Sequence, residues 1–312
     1  MRNRSIYSYS WDLAENGVVS TVTEFKGIGI DTITLACSYH AGKFLRPKAK
    51  TWKIYFPEDG TVYFQTNPAR YGGIKLAANS VYGTGDVLRE LTQTPGLEVH
   101  AWLVLLHNSK IVSENLESTV QNAFGDRYIY GLCPSAPEAR AYAVGLAQDV
   151  SESYEIAGIS MESIGFPPYK HGYHHEMSSV KLNKWLSSYL GLCFCTFCVR
   201  GTEKIGIDAE RLKSAVAELI NDYLAGDIDF PDDMAEAFWL ADVQGDRELR
   251  SYLDYRSSVV TSLVLDIRKS VRKDVVVAVI SSVARPTGGA RYEGTDLEAI
   301  AGITGVIEAC LL

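Results

Sequence analysis

Ile156-Ala-Gly-Ile-Ser-Met-Glu162-Ser-Ile-Gly-Phe166, continued by Pro-Pro-Tyr-Lys-His171-Gly-Tyr-His174-His175-Glu176 and closed by Cys193-Phe-Cys195-Thr-Phe-Cys198, is the stretch that decides the fold. The apolar run up to Met161 reads as a strand buried on both faces. A carboxylate directly after it stands at the carboxyl end of that strand, where parallel α/β enzymes place catalytic acids. Thiols at Cys-x-Cys-x-x-Cys spacing converge on one point from a tight turn and suit a soft, tetrahedral ion, with zinc expected. The stretch therefore predicts an enzyme with a zinc-stapled loop beside its active site.

Outward from this strand the same grammar repeats. Residues 5–11 alternate polar and apolar side chains and predict a first strand ending at Trp11-Asp12. Residues 31–37 predict a second strand, 97–106 a third running into His107-Asn108, 273–280 a fifth and 304–310 a sixth. Helical patterns fall at 18–27, from 86, and at 137–153, 208–224, 248–271 and 297–300. Strands alternating with helices give a parallel sheet. Polar and aromatic residues gather just after the strands: Asp12, Tyr39, His40, His107, Asn108, Glu162 and Glu308. That is the pattern of an α/β fold of the (β/α)8 TIM-barrel type. Six legible strands fall about two units short of closure, so the barrel is read as incomplete at its C-terminus. A single barrel domain over 1–312 is expected, with insertions at about 38–85 and 163–200. The first insertion predicts a β-hairpin after strand two, pairing 51–56 with 61–65 across Pro57-Glu58-Asp59-Gly60.

The bulk properties narrow the class. At 312 residues with 46% hydrophobic and 22% charged content, the chain has the ordinary globular balance. A net charge of −8 argues against nucleic acid or an anionic membrane as partner. No apolar run reaches a membrane span, and the basic N-terminus lacks the apolar region of a signal peptide. Six cysteines with three packed together read as a metal site in a reducing, cytoplasmic setting. The expected partner is a small carbohydrate or glycoside, with the oligomeric state left open.

The run Asp126-Arg-Tyr-Ile-Tyr-Gly-Leu-Cys133-Pro-Ser-Ala-Pro-Glu-Ala-Arg140, a helix, the strand ending in Glu162 and then Cys-x-Cys-x-x-Cys resembles the β-galactosidases of glycoside hydrolase family 42. It is also similar to the wider group of uncharacterised glycosyl-hydrolase-like barrels. The resemblance covers roughly 126–200. It implies a structural zinc held by Cys133 together with Cys193, Cys195 and Cys198, and Glu162 as general acid/base. Met161 stands where that clan carries Asn before the acid/base, and Glu308, the candidate nucleophile, falls on the sixth strand rather than the seventh.

From the residues alone the fourth zinc ligand stays open between Cys133 and the nearer His174 or His175. Glu162 and Glu308 form the candidate carboxylate pair of a glycosidase, one protonating the leaving oxygen while the other attacks or stabilises an oxocarbenium-like centre. Asp12 is the fallback partner. Trp11, Tyr39 and Phe166 are expected to offer flat faces to a sugar ring. His40, His107 and Asn108 are expected to bind its hydroxyls, and His171, His174 and His175 to wall the pocket. Two rival readings accompany this one: a metal-dependent hydrolase, lyase or isomerase built on the histidine loop with Glu176, and a non-catalytic carbohydrate-binding barrel.

Overall fold

Runs of β-branched residues and acid-capped amphipathic segments alternate along the chain. The computed structural model describes residues 4–80, 85–170, 176–226, 229–281 and 286–309. The chain begins with β1 (Ser5–Tyr9), α1 (Ser10–Asn16), α2 (Val18–Gly27) and β2 (Thr32–Tyr39). An insertion follows with β3 (Phe44–Leu45), β4 (Ile54–Tyr55), β5 (Thr61–Val62) and β6 (Ala77–Ala78). Next come α3 (Val87–Thr92), β7 (Glu98–Val104), α4 (Ser109–Glu114), β8 (Thr119–Gln121), β9 (Arg127–Leu132), α5 (Pro137–Ser153) and β10 (Gly158–Glu162). A helical stretch holds α6 (Lys184–Leu190), α7 (Thr196–Glu203), α8 (Ala209–Ala225), α9 (Asp232–Gly245) and α10 (Arg247–Ser270). The chain closes with β11 (Val276–Ser281), α11 (Pro286–Tyr292), α12 (Leu297–Thr304) and β12 (Gly305–Ala309).

β1, β2, β7, β10, β11 and β12 lie side by side in that order, every neighbouring pair parallel. Spatial order equal to chain order is the winding of a (β/α) barrel, in which each crossover returns beside the strand it left. β5 joins antiparallel at the carboxyl end of β2, and β6 pairs with β5. Among the described residues nothing pairs β1 with β12, so the wall is open there. Tyr7 of β1 and Glu308 of β12 nevertheless meet in a side-chain hydrogen bond.

The pleat sorts the two faces. Ile33, Leu35, Val99, Ala101, Leu103, Ile159, Met161, Val277 and Val279 belong to the core that also holds α5 and α10 residues such as Leu146 and Leu263. Ala36, Trp102 and Val104 pack inside the curve with Tyr9, Tyr39 and Ile280. A second core, built from Trp185, Leu186, Val216, Trp239 and Leu253 among others, holds the helices after β10 together. Helices start on side-chain caps at Asp86, Asn108, Asn183, Asp208, Asp246 and Asp296, each satisfying a first-turn N–H.

Several sequence expectations change. The first strand stops at Tyr9, and Trp11 sits in the first turn of α1, stacked on Tyr9 with ring centroids 4.4 Å apart. The hairpin of the insertion pairs β4 with β3, not with β5. The reason is that the 57–60 turn is tied elsewhere: Asp59 accepts the backbone N–H groups of Ala41 and Lys110, and Tyr63 N–H donates to Cys37 O. α9 gave no clear sequence period, because Met234, Phe238 and Leu240 are exposed while Ala235, Trp239 and Val243 are buried. No helix among the described residues is long and apolar enough to cross a membrane.

Gly145, inside α5, separates two opposing effects. Alanine is worth about 1 kcal/mol more than glycine in a helix interior. Here, however, a Cβ would lie 2.2 Å from the Arg70 carbonyl oxygen. Gly145→Ala is therefore expected to destabilise by about 1–3 kcal/mol, read as a lower urea midpoint at unchanged slope. A raised midpoint would show that this packing yields.

Candidate active site

Inward-facing positions of the central strands carry polar groups rather than a sealed apolar layer. Glu162, the last residue of β10, accepts the Trp102 indole N–H at 2.7 Å. Glu308 on β12 accepts Ser160 Oγ–H at 2.7 Å on one carboxylate oxygen and the Tyr7 phenol on the other. Below them the His100 ring lies against Gly158, where an added Cβ would come within 2.8 Å of it. Burial pushes the His100 imidazole below its ordinary pKa. Burial and hydrogen bonding to Glu308 push the Tyr7 phenol up. Each of these carboxylates accepts from neutral donors.

Other expected residues gather at the carboxyl ends of β2 and β7. The Tyr39 and His40 rings stack at 4.5 Å, and His107 meets His40 edge-on at 4.9 Å. Asn108 caps α4 by accepting Ile111 N–H, and its amide reaches Tyr39 O at 3.5 Å. Tyr9 and Tyr39 join hydroxyls at 3.3 Å beside Trp102.

Three expectations do not hold in the form given. Trp11, 3% exposed, packs with Tyr55 and Tyr63 and has no face for a sugar. Phe166 is fully buried, its ring covered by the Arg256 guanidinium at 4.2 Å. Asp12 is paired with Arg46 Nε at 2.7 Å, a guanidinium it shares with Glu15, which ties its carboxylate to the insertion. His171, His174 and His175 lie outside the described residues.

The cysteines converge. Cys133, just after β9, lies 3.5 Å from Cys195 Sγ, 3.6 Å from Cys198 Sγ and 3.8 Å from Cys193 Sγ. All four sulfurs fall within 4.8 Å of one another and are buried, a group able to hold a metal ion. Gln121 N–H points at Cys193 Sγ at 3.5 Å, and Tyr252 O–H donates to Cys193 O. Burial pushes the Cys133 thiol well up. Ionising all four sulfurs in this space would take a cation among them.

Two residues were not singled out from the sequence. Arg256 of α10 is 1% exposed and donates to Gly191 O at 3.0 Å and Tyr292 O at 2.7 Å. It thereby joins the segment before the cysteines to the segment after α11, with the β10 loop held through Phe166. Glu293 follows α11, and its carbonyl oxygen accepts Phe166 N–H at 2.8 Å. Burial raises its carboxyl to about 7, with Glu162 acting in the same direction against Lys184. The only local sequence signal was Gly294, which turns the chain at φ 75°. An acid inside a short loop carries no periodicity to find.

No protein-family model matches the sequence, and no curated protein matches it. Among solved structures the chain is similar to the glycoside hydrolase domain of PgaB (BpsB) from Bordetella bronchiseptica, at 13% identity and TM-score 0.59, over 99% of this chain and 74% of that one. An alpha-L-fucosidase isoenzyme 2 from Paenibacillus thiaminolyticus aligns at 11% identity and TM-score 0.43, over 89% of this chain and 32% of that one. An alpha-galactosidase from Lactobacillus brevis aligns at 12% and 0.38, over 94% and 29%. The first likeness shows a TIM-barrel-like α/β fold shared with a glycoside hydrolase domain. The other two are too distant to add to it.

Arg256→Met keeps much of the volume but leaves two buried carbonyls without donors. Relief of the buried charge offsets part of that loss, and a net destabilisation of about 1–3 kcal/mol is expected by urea unfolding. A variant as stable as the parent would mean that these loops hold without the tether.

Proposed function

We propose that the chain is a glycoside hydrolase-like enzyme that cleaves a glycosidic bond with carboxylates at the mouth of the half-open barrel. Glu162 performs the general acid/base work and Glu308 is the second carboxylate. The observation that carries this reading is that Glu162 and Glu308 face one interior and are held by an indole and two hydroxyls. Neutral donors fix a carboxylate without cancelling its charge. That leaves the charge available to an oxocarbenium-like centre, whose positive charge develops only as the bond breaks. Tyr39, His40 and His107 supply the polar wall that orients sugar hydroxyls, with the buried Asn108 capping α4 behind them. The shared fold supports the reading at the level of architecture.

The cysteine group fits a structural zinc in a reducing, cytoplasmic setting. Zinc–sulfur bonds of about 2.3 Å at tetrahedral angles set the sulfurs roughly 3.8 Å apart, close to the 3.5–3.8 Å from Cys133 to its three neighbours. Cys133, rather than a histidine, is the fourth donor in this assignment. Bound there, zinc would anchor the segment after β10; four sulfurs leave it no open position for water.

Screening with aryl glycosides tests the activity. On any glycoside that the parent hydrolyses, Glu162→Gln is expected to lower kcat/KM by roughly a hundredfold or more with an unchanged melting temperature. Binding without turnover in the parent would instead mark a carbohydrate-binding barrel, and full activity in Glu162→Gln would remove this carboxylate from the chemistry. Metal analysis is expected to find about one zinc per chain, lost in Cys133→Ser together with a fall in melting temperature. Metal-free protein of full stability would reduce the cluster to packed thiols.

A further inference from the structure

Glu293 stands where the barrel mouth meets the helices that follow β10. Its carbonyl oxygen is bonded to Phe166 N–H, and Gly165 is pressed so close that a Cβ there would lie 2.2 Å from the same oxygen. The segment leaving Glu162 and the segment carrying Glu293 therefore touch along their backbones. Glu293 also lines a cavity of about 420 Å³, with Tyr169, Lys184, Ser188, Glu236 and Tyr292. Small-molecule sites run from roughly 300 to 1,000 Å³, so one or two sugar units fit. Its walls have the mixture that a pyranose needs. Tyr292, stacked on Trp239 at 5.6 Å, carrying Lys184 Nζ 3.6 Å from its ring centre and held at its phenol by Ser188, gives a fixed aromatic edge, and Glu236 gives a hydroxyl partner.

We propose that Glu293 is the general acid of the cleavage and that the cavity it lines receives the leaving-group sugar. This rests on the glycosidase reading and divides the proton work given there to Glu162 alone. The glycosidic C–O bond breaks with its electron pair going to the leaving oxygen, which takes the Glu293 proton. A water oxygen bonds to the anomeric carbon and its proton passes to Glu162. Exchange with solvent then returns Glu162 to its ionised form and Glu293 to its protonated form.

The electrostatics agree in sign. Burial holds the Glu293 carboxyl up to about 7, Lys184 opposes this, and the Glu162 charge adds to it. Lys170, Asp232 and Glu236 line the same cavity from the β10 loop and α9. Below about pH 7 Glu293 keeps its proton, and as pH rises through that value the acid is lost.

The test compares phenyl with dinitrophenyl glycosides of one sugar that the parent hydrolyses. A dinitrophenolate leaves without protonation and a phenolate does not. Glu293→Gln is expected to slow the phenyl substrate roughly a hundredfold or more and the dinitrophenyl substrate only a few-fold. The parent's kcat on the phenyl substrate is expected to fall above pH 7, a limb missing in the variant. Equal slowing of both substrates, or none, overturns the assignment while leaving Glu162 in place. A parent without that basic limb overturns it even if Glu293→Gln does not fold. A parent inert on every glycoside overturns the function itself, and this inference with it.

Discussion

A buried guanidinium with no carboxylate partner among the described residues organises the mouth of this barrel. Arg256 is almost wholly enclosed, and burial lowers its pKa from the ordinary arginine value. Removing such a charge from water is costly unless its hydrogens are engaged. Its protons go to the carbonyls of Gly191 and Tyr292, its face goes to Phe166, and Nε has no partner among the described residues. Each of those three partners, two carbonyls and a ring, belongs to a different segment: the approach to the cysteines, the end of α11 and the β10 loop. Loops of this kind lose conformational entropy when ordered. A charge that needs both carbonyls and the ring in place makes their ordering cooperative.

The thiol cluster works on the same segment from the other side. Cys133 comes from the end of β9, on the sheet side, while Cys193 and Cys195 come from the turn leading into α7 and Cys198 from its first turn. The two hydrophobic cores meet along this seam, since the cysteines belong to the sheet core whereas Phe194 between the first two and Val199 just after the last belong to the helical one. Tyr252 stacks on Phe194 at 5.1 Å and also holds Cys193 O, so α10 supports the thiols as well as the arginine. The helical excursion between β10 and β11 is thus fastened at its root, next to Glu162.

Much of this was legible in the sequence because it obeys periods. The six parallel strands, α2 and α5 follow from apolar runs and from residues placed just after them. Glu162 and the cysteines are local motifs. What escaped depends on the third dimension. The insertion's hairpin was misassigned because Asp59 binds Ala41 and Lys110, choices no local pattern encodes. Trp11 and Phe166 follow strands in the chain yet turn into packing, one under Tyr9 and the other under Arg256. Arg256 lay unmarked in an amphipathic helix, where an arginine ordinarily reads as solvent-facing. Glu293 drew no attention because its meaning comes from the loop on which it rests.

The open side of the sheet bears on why the interior is polar. A closed small barrel fills its centre with layered apolar side chains. Here β1 and β12 are not paired among the described residues, and the side chains that bridge them, Tyr7 and Glu308, are polar. A phenol donating to a carboxylate joins two edges at a distance that backbone hydrogen bonds do not span. Ser160 completes the carboxylate from the middle of the sheet, three strands being joined by one acid. The same bond that links the edges also fixes Glu308 through a neutral donor, with no counter-ion among the described residues. Structural closure and a prearranged negative charge are here one feature, so loss of Tyr7 would act on both.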